Sequence, residues 1–392
     1  MAVVARPDLQ PGPDQGYRRD AATWVTFGAL FAFGLLNAVL GPVLPYLRQS
    51  EHLSYVVSAL HQVGFALGGM AAGALAIRSS APRRPTIVVG LVGAALAGLL
   101  LGYGGVLPLT ILAALLVSAF ATAALIRMWA LLSDLHGGHR AVAMTEGEVA
   151  VSLAGVLTPA LVGLCAAGSL GWGFSTVIVS VLVAAAALAV GATRSPGGGA
   201  APHLEPEGAG RAGSRTRRTR RTLTAIFAVV ALEFTLSFWS ASYLHDAVGI
   251  ARDASVALVS ALYAANLVGR LIASRVARRL SAPAVLYACL ATALAGMPLL
   301  LSAHGLVTAG IGLAVTGAGI GGTFPLASSL HVAASRRTAD QALGQTLTVA
   351  GVGQIAGPLA AGAIAQVDDL RLGLLVLPVL VVLAAASTRP AR

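Results

Sequence analysis

The chain has 392 residues, of which 57% are hydrophobic and only 10% charged, and its net charge is +11. Soluble domains carry about 25% charged residues, so this composition excludes an ordinary soluble fold. Every strongly basic residue is arginine, and the arginines fall mostly between apolar blocks, which argues against a nucleic-acid surface.

Residues 1–21 are polar and include Pro7, Pro11 and Pro13. They lack the apolar core and cleavage site of a secretory signal and are expected to form a cytoplasmic tail. Twelve apolar blocks follow, at about 22–47, 54–78, 85–105, 107–133, 142–166, 170–192, 222–245, 255–277, 283–303, 305–331, 342–366 and 370–388. A helix needs roughly 20 apolar residues to cross the hydrocarbon core of a bilayer. Glycine is frequent inside the blocks, as it is in membrane helices. The sequence therefore predicts an all-α membrane protein with twelve transmembrane helices. Residues 193–221, rich in Gly, Pro and Arg, cannot bury a core and read as a linker that divides the blocks six and six. The expected units are thus 22–192 and 222–388, with a short tail at 389–392.

Arginine placement sets the expected orientation. With the N-terminus inside, the inner loops hold Arg78, Arg83, Arg84, Arg140, the cluster Arg211 to Arg221, Arg275, Arg278, Arg279, Arg336 and Arg337. The outer loops keep only Arg48, Arg252 and Arg371, beside Glu51, Asp246, Asp253, Asp368 and Asp369. Both termini and the linker are expected on the cytoplasmic side. Arginine in place of lysine throughout reads as a GC-rich bacterial codon bias, and hence a bacterial inner membrane.

The two halves share landmarks in the same order. Gly68 aligns with Gly269, Gly73 with Ser274, Arg78 with Arg279, and Pro159 with Pro358. The first and seventh blocks end in Tyr46-Leu47 and Tyr243-Leu244. Together these matches argue for a duplicated unit.

Three segments carry a family resemblance over nearly the whole chain. Asn37-x3-Gly41-Pro42-Val43-Leu44-Pro45-Tyr46-Leu47 closes the first block. Gly73-Ala-Leu-Ala-Ile77-Arg78, followed by Arg83 and Arg84, lies between the second and third blocks. Gly353-x3-Gly357-Pro358-x2-Ala361-Gly362 lies in the eleventh. With the six-plus-six pattern and the basic central loop, the chain resembles a transporter of the major facilitator superfamily. It departs from the family's loop motif at Ile77, where an acidic residue is usual. Its better Gly-Pro motif is in helix eleven, whereas antiporters carry theirs in helix five. The resemblance implies two six-helix bundles around a cavity that opens alternately to each side. It also implies that spans three and six of each half face lipid, and those blocks indeed hold no internal charge.

Ionisable groups inside a membrane are expensive and need a partner or a role. Glu233, midway along the seventh block, is either a proton-coupling or substrate-binding carboxylate or a structural group. Arg127 in the fourth block either binds an anionic substrate group or pairs with Glu146 or Glu148. Arg270 in the eighth either reaches the surface or lines the cavity. His61 is a proton carrier or a packing residue, and Gln62, Asn37 and Asn266 are polar groups on presumed cavity helices. Phe238, Trp239 and Tyr243 form either an interfacial belt or a stacking surface. Gly73, Arg78, Arg83, Gly269, Gly353, Gly357 and Pro358 are expected to serve packing and gating.

Lysine is absent, so a phosphate-binding loop with Lys is excluded; no His-Glu-x-x-His or paired-cysteine metal site exists either, and Cys165 and Cys289 sit apart in apolar blocks. No cofactor and no enzymatic activity are expected. The expected partners are a small-molecule substrate, the lipid bilayer and protons, and the chain is expected to act as a monomer. The expected function is proton-coupled secondary transport, with export preferred over import of a sugar or organic acid. A transporter-like sensor or scaffold is the alternative of another class.

Overall fold

A computed structural model describes residues 18–78, 81–136, 140–193, 212–277, 279–335 and 339–388. Among these residues all regular structure is helical: α1 (Ala21–Asn37), α2 (Leu40–Ser50), α3 (Tyr55–Arg78), α4 (Arg83–Tyr103), α5 (Leu107–His136), α6 (Arg140–Ala167), α7 (Gly173–Ala192), α8 (Ala212–Asp246), α9 (Arg252–Val276), α10 (Ala282–Leu301), α11 (Leu306–Ile320), α12 (Thr323–Ala334), α13 (Ala339–Ala365), α14 (Leu370–Gly373) and α15 (Val376–Thr388). Among the described residues, twelve segments are long and apolar enough to cross a membrane. Three of them are broken helices: α1 with α2, α11 with α12, and α14 with α15.

Proline explains two of the breaks. Pro42 has no N–H to give the Ala38 carbonyl, and the helical ladder stops at Ala38 and Val39. Pro325 likewise leaves the Gly321 carbonyl without its helical donor, and α11 ends at Ile320. Pro159 and Pro358, by contrast, are carried inside the continuous helices α6 and α13.

One expected boundary moves. The linker was expected to reach residue 221, but α8 begins at Ala212. Arginine is a good helix former, so the run of arginines before the apolar block extends the helix past the membrane. Residues 194–211 of the expected linker, residues 1–17 of the expected N-terminal tail and residues 389–392 lie outside the described residues.

The duplicated landmarks have matching roles. A Cβ on Gly68 of α3 would collide with the Leu115 carbonyl of α5, and one on Gly269 of α9 would collide with the Ala318 carbonyl of α11. In each half the second span therefore lies backbone to backbone against the fourth. Between the halves, α6 packs along α9 and α3 along α13, while α2 meets α8 at the end opposite the termini. The third and sixth spans of each half, α4, α7, α10 and α15, pack within their own half. They expose large apolar side chains such as Val89, Leu96, Val181, Leu188, Val379 and Val382. These are the surfaces a bilayer covers.

Candidate functional site

On α9, Tyr263, Asn266 and Arg270 stand at spacings of three and four, which puts them on one face of the helix. On α8, Glu233 and Ser237 share a face by the same spacing. Glu233 and Ser237, with Tyr263 of the α9 face, meet the break between α1 and α2 around a cavity of about 70 Å³. Asn37, Ala38 and Gly41 line it from the break, Gln62 and Phe65 from α3, Glu233, Phe234, Ser237 and Phe238 from α8, and Tyr263 from α9. Irregular backbone inside a membrane is tolerated where it borders such a cavity. Asn37 is exposed there, and Gln62 Nε2 is buried without a hydrogen-bond partner.

Glu233 is the acidic group of this wall. Its Oε1 accepts a hydrogen bond from Asn266 Nδ2 at 3.3 Å. Among the described residues no cation lies within ion-pair distance of it.

Arg270 is held on two sides. Its Nη1 donates to Glu148 Oε2 at 3.1 Å, which joins α9 to α6 across the halves. Its Nε donates to the Gly321 carbonyl at 3.1 Å, the acceptor that Pro325 leaves free. Gly321 is required here, because a Cβ would collide with the Asn266 carbonyl. The sequence offered Arg127 either to an anionic substrate group or to Glu146 or Glu148; Arg270 is the cation paired with Glu148. Glu146 accepts from Arg19 Nε at 2.8 Å. Arg127 lies half-buried on α5 with contacts of its own.

The other expected residues divide between packing and the ends of the bundle. His61 is fully buried between the Ser58 carbonyl at 3.1 Å and Thr110 Oγ1 at 3.0 Å, inside the first half. Trp239 and Tyr243 are fully buried, so they form neither an interfacial belt nor a cavity wall. Trp239 Nε1 donates to the Pro358 carbonyl at 2.9 Å, and the Tyr243 hydroxyl to the Leu300 carbonyl at 2.7 Å. Gly353 and Gly357 let α13 approach α8, where Cβ atoms would sit 2.8 Å from the Phe227 carbonyl and 2.6 Å from that of Ala231. Arg83 pairs with Asp134 at 2.6 Å, tying the start of α4 to the end of α5. Gly73 has open space around it, and the side chains of Ile77 and Arg78 are outside the described residues.

Sequence reasoning passed over Tyr263, Ser237, Phe65 and Phe234. The polar spacing of Tyr263, Asn266 and Arg270 in an apolar helix was the available signal for the first.

At the end opposite the termini the halves are tied by polar side chains. The Tyr46 hydroxyl donates to Asp253 Oδ1 at 2.7 Å and the Tyr55 hydroxyl to Asp246 Oδ2 at 3.1 Å. Arg48 pairs with Asp246 and lies over the Tyr55 ring, 3.9 Å from its centroid. Arg252 donates to Gln49 Oε1. At the terminus end, α5 makes no extended packing with α12 or α13 among the described residues. The polar contacts of Tyr46, Tyr55 and Arg48 join the two halves at the end opposite the termini.

Solved structures share this architecture. A bacterial homolog of the human lysosomal transporter Spinster, inward-facing and unoccupied, aligns with a TM-score of 0.71 at 16% identity, covering 95% of this chain and 97% of that one. A D-xylose–proton symporter gives 0.73 at 11%, covering 94% and 96%. A nucleoside transporter gives 0.72 at 13%, covering 94% and 99%. No curated protein matches the sequence. The sequence pattern of the Major Facilitator Superfamily matches residues 25–358. With that match over most of its length, the chain belongs to the major facilitator superfamily.

Proposed function

We propose that this transporter is a proton-coupled exporter of a small organic molecule, acting as a monomer in a bacterial cytoplasmic membrane with its termini inside. The observation that carries the coupling is Glu233, an ionisable group on the wall of a cavity between the halves with one amide as its described partner. A carboxylate so placed can take up a proton from whichever side the cavity faces. The arginine distribution supports the orientation. The preference for export rests on the apolar and aromatic share of the lining and on the Gly-Pro motif at Gly357 and Pro358. Import of a sugar is the second reading, favoured by the amides of Asn37 and Gln62 in the wall and by sugar symport in a similar structure.

The test is flux in proteoliposomes under an imposed pH gradient, across a panel of sugars, nucleosides, organic anions and organic cations. Gradient-driven flux that is lost in Glu233→Gln is the expected outcome. Flux that ignores both the gradient and the substitution would reject proton coupling. No flux of any compound would favour the sensor reading.

A further inference from the structure

The turn from α8 to α9 carries a titratable group that the transport reading does not use. His245 stands in the last turn of α8, and residues 247–251 bring the chain round to α9, with Gly249 at a φ of 82°. His245 Nδ1 lies 2.9 Å from the Ile250 carbonyl, and its Nε2 lies 3.0 Å from Arg252 Nη2. These two partners fix the state of the ring. A carbonyl only accepts, so Nδ1 carries the proton. A guanidinium only donates, so Nε2 is the bare acceptor. The imidazole is therefore neutral in this arrangement, in one tautomer. The Ile250 carbonyl also accepts from Ser255 Oγ at 3.2 Å, which holds it at the start of α9.

Arg252 depends on that neutral ring. Its Nη1 donates to Gln49 Oε1 of the opposite half, and its Nε is buried without a hydrogen-bond partner. Among the described residues no carboxylate lies within ion-pair distance of it. The other charged and titratable groups around this turn are taken. Asp253, beside Arg252 on α9, accepts from the Tyr46 hydroxyl of α2. Asp246 accepts from Arg48 of α2 and Tyr55 of α3. Tyr243, two residues back on α8, donates to the Leu300 carbonyl. Arg371 of α14 donates to the carbonyls of Ala247, Leu301 and Ala303, and Asp369 caps α14 through the Leu372 N–H. Arg252 is thus the cation of this end whose two acceptors are both uncharged, and one of them is an imidazole, which can take a proton.

We propose that His245 is a second proton site, separate from Glu233, and that its protonation uncouples the halves at the end opposite the termini. A proton bound at Nε2 turns the acceptor into a donor aimed at another donor, with two positive charges in contact. The Nδ1–H bond to Ile250 lies within one short turn and survives, so Arg252 is the partner that leaves. Its guanidinium is a rigid fork, so withdrawing Nη2 from the imidazole also draws Nη1 off Gln49. The Arg252 link between α9 and α2 is then gone. The imidazolium left behind sits at the C-terminal end of α8, which favours a positive charge. Transporters of this family expose their cavity to the two sides in turn, so this end must part in each cycle. Acidity on its side favours the parted form, and one proton changes the ratio of parted to joined forms by at most about tenfold per pH unit.

Electron–electron distance measurements on the full chain in nanodiscs test this, with one pH on both sides and no substrate. Spin labels at Val106 and Ser302, both exposed at this end and one on each half, report the separation in a background with Cys165→Ser and Cys289→Ser. Between pH 8 and pH 5.5 the longer-distance population is expected to grow about threefold or more. His245→Gln and His245→Asn, two neutral replacements that do not titrate, are expected to keep the pH 8 distribution throughout. Arg252→Gln, which leaves the imidazole and removes its cationic neighbour, is expected to be equally flat. Glu233→Gln is expected to keep the full response. In nitrogen-15 spectra of histidine-labelled protein at pH 8, the signals that His245→Gln removes are expected to show a protonated Nδ1 and a bare Nε2.

A wild type whose distances ignore pH overturns the proposal, as does a bare Nδ1 at pH 8. A response that survives both histidine variants also overturns it, because the proton then binds another group of this end, such as Glu51, His52 or His304. A response kept in Arg252→Gln overturns the role of Arg252 and with it the proposal. A response lost in Glu233→Gln but kept in His245→Gln belongs to the cavity carboxylate and overturns it too. No gradient and no substrate enter the measurement, so each of these failures leaves proton-coupled transport to its own flux test.

Discussion

Arg270 shows how one side chain is placed by events on three helices. Pro325 frees the Gly321 carbonyl, Gly321 lets α12 and α11 come close to α9, and Glu148 arrives from the opposite half. Breaking any of these should be felt at Glu233, whose neighbour Asn266 touches the same glycine. Gly321→Ala forces a Cβ into a backbone carbonyl, and overpacking of that kind costs about 1–3 kcal/mol. A lower thermal midpoint of the purified protein and reduced transport are the expected results; an unchanged midpoint would show that α11 and α12 can shift freely. The Arg270–Glu148 pair calls for charge reversal. Arg270→Glu and Glu148→Arg singly leave like charges together, and their combination is expected to recover transport that both singles lose. If Arg127→Glu with Glu148→Arg recovers more, the pairing drawn here is wrong. Glu233 was legible from sequence because an acid in an apolar span is rare enough to stand out. The partner of Glu148 was not legible, because hydropathy gives the depth of a side chain along a span but not the direction it faces around the helix. Trp239 and Tyr243 were ambiguous for the same reason: their depth suited a belt, and their facing direction put them in the core.

Helices α2 and α3 meet α8 and α9 through the cluster of Tyr46, Arg48, Gln49 and Tyr55 with Asp246, Arg252 and Asp253. Residues read from sequence only as outer-loop charges thus act together as a latch between the halves. Exposed pairs of this kind contribute roughly 0.2–1 kcal/mol each, so no single one holds the closed end shut. Removing two together, Arg48→Ala with Asp253→Asn, should remove about 1.4 kcal/mol and shift the ratio of closed to open outer ends about tenfold. Spin labels at Ser54 and Ala251, one on each half, provide the readout. A longer distance population that grows in the double variant is expected, and an unchanged distribution would show that the α6–α9 and α3–α13 seams alone set the closed end. Proline alone did not single out the helix breaks, since Pro42 and Pro325 sit beside breaks while Pro159 and Pro358 lie inside continuous helices. The early start of α8 was not readable either, because a run of arginines looks like linker by composition while its backbone preference is helical.

Two halves built on one plan meet along α6–α9 and α3–α13. The six-plus-six count and the Gly68 and Gly269 landmarks made that plan readable before any coordinates, since spans and close-packing glycines are local signals. Which end is closed depends on side chains that meet only after the halves assemble, and it had no counterpart in the sequence. The structure joins the halves at the end opposite the termini, and among the described residues α5 makes no extended packing with α12 or α13. Asn37 is exposed in the cavity, so it reports both openness and orientation. In a background with Cys165→Ser and Cys289→Ser, Asn37→Cys is expected to react with a membrane-impermeant maleimide from the terminus side. If the arginine-rich loops face the cytoplasm, inside-out vesicles label and right-side-out vesicles label at least tenfold more slowly. Fast labelling only in right-side-out vesicles would invert the orientation while preserving the open end. Equal labelling in both would mean that the two closed forms interconvert with similar populations, so the outer latch adds little to the resting balance. The Arg48→Ala and Asp253→Asn pair should then leave labelling unchanged, whereas a latch that sets the balance should make the same pair raise labelling from the outer side.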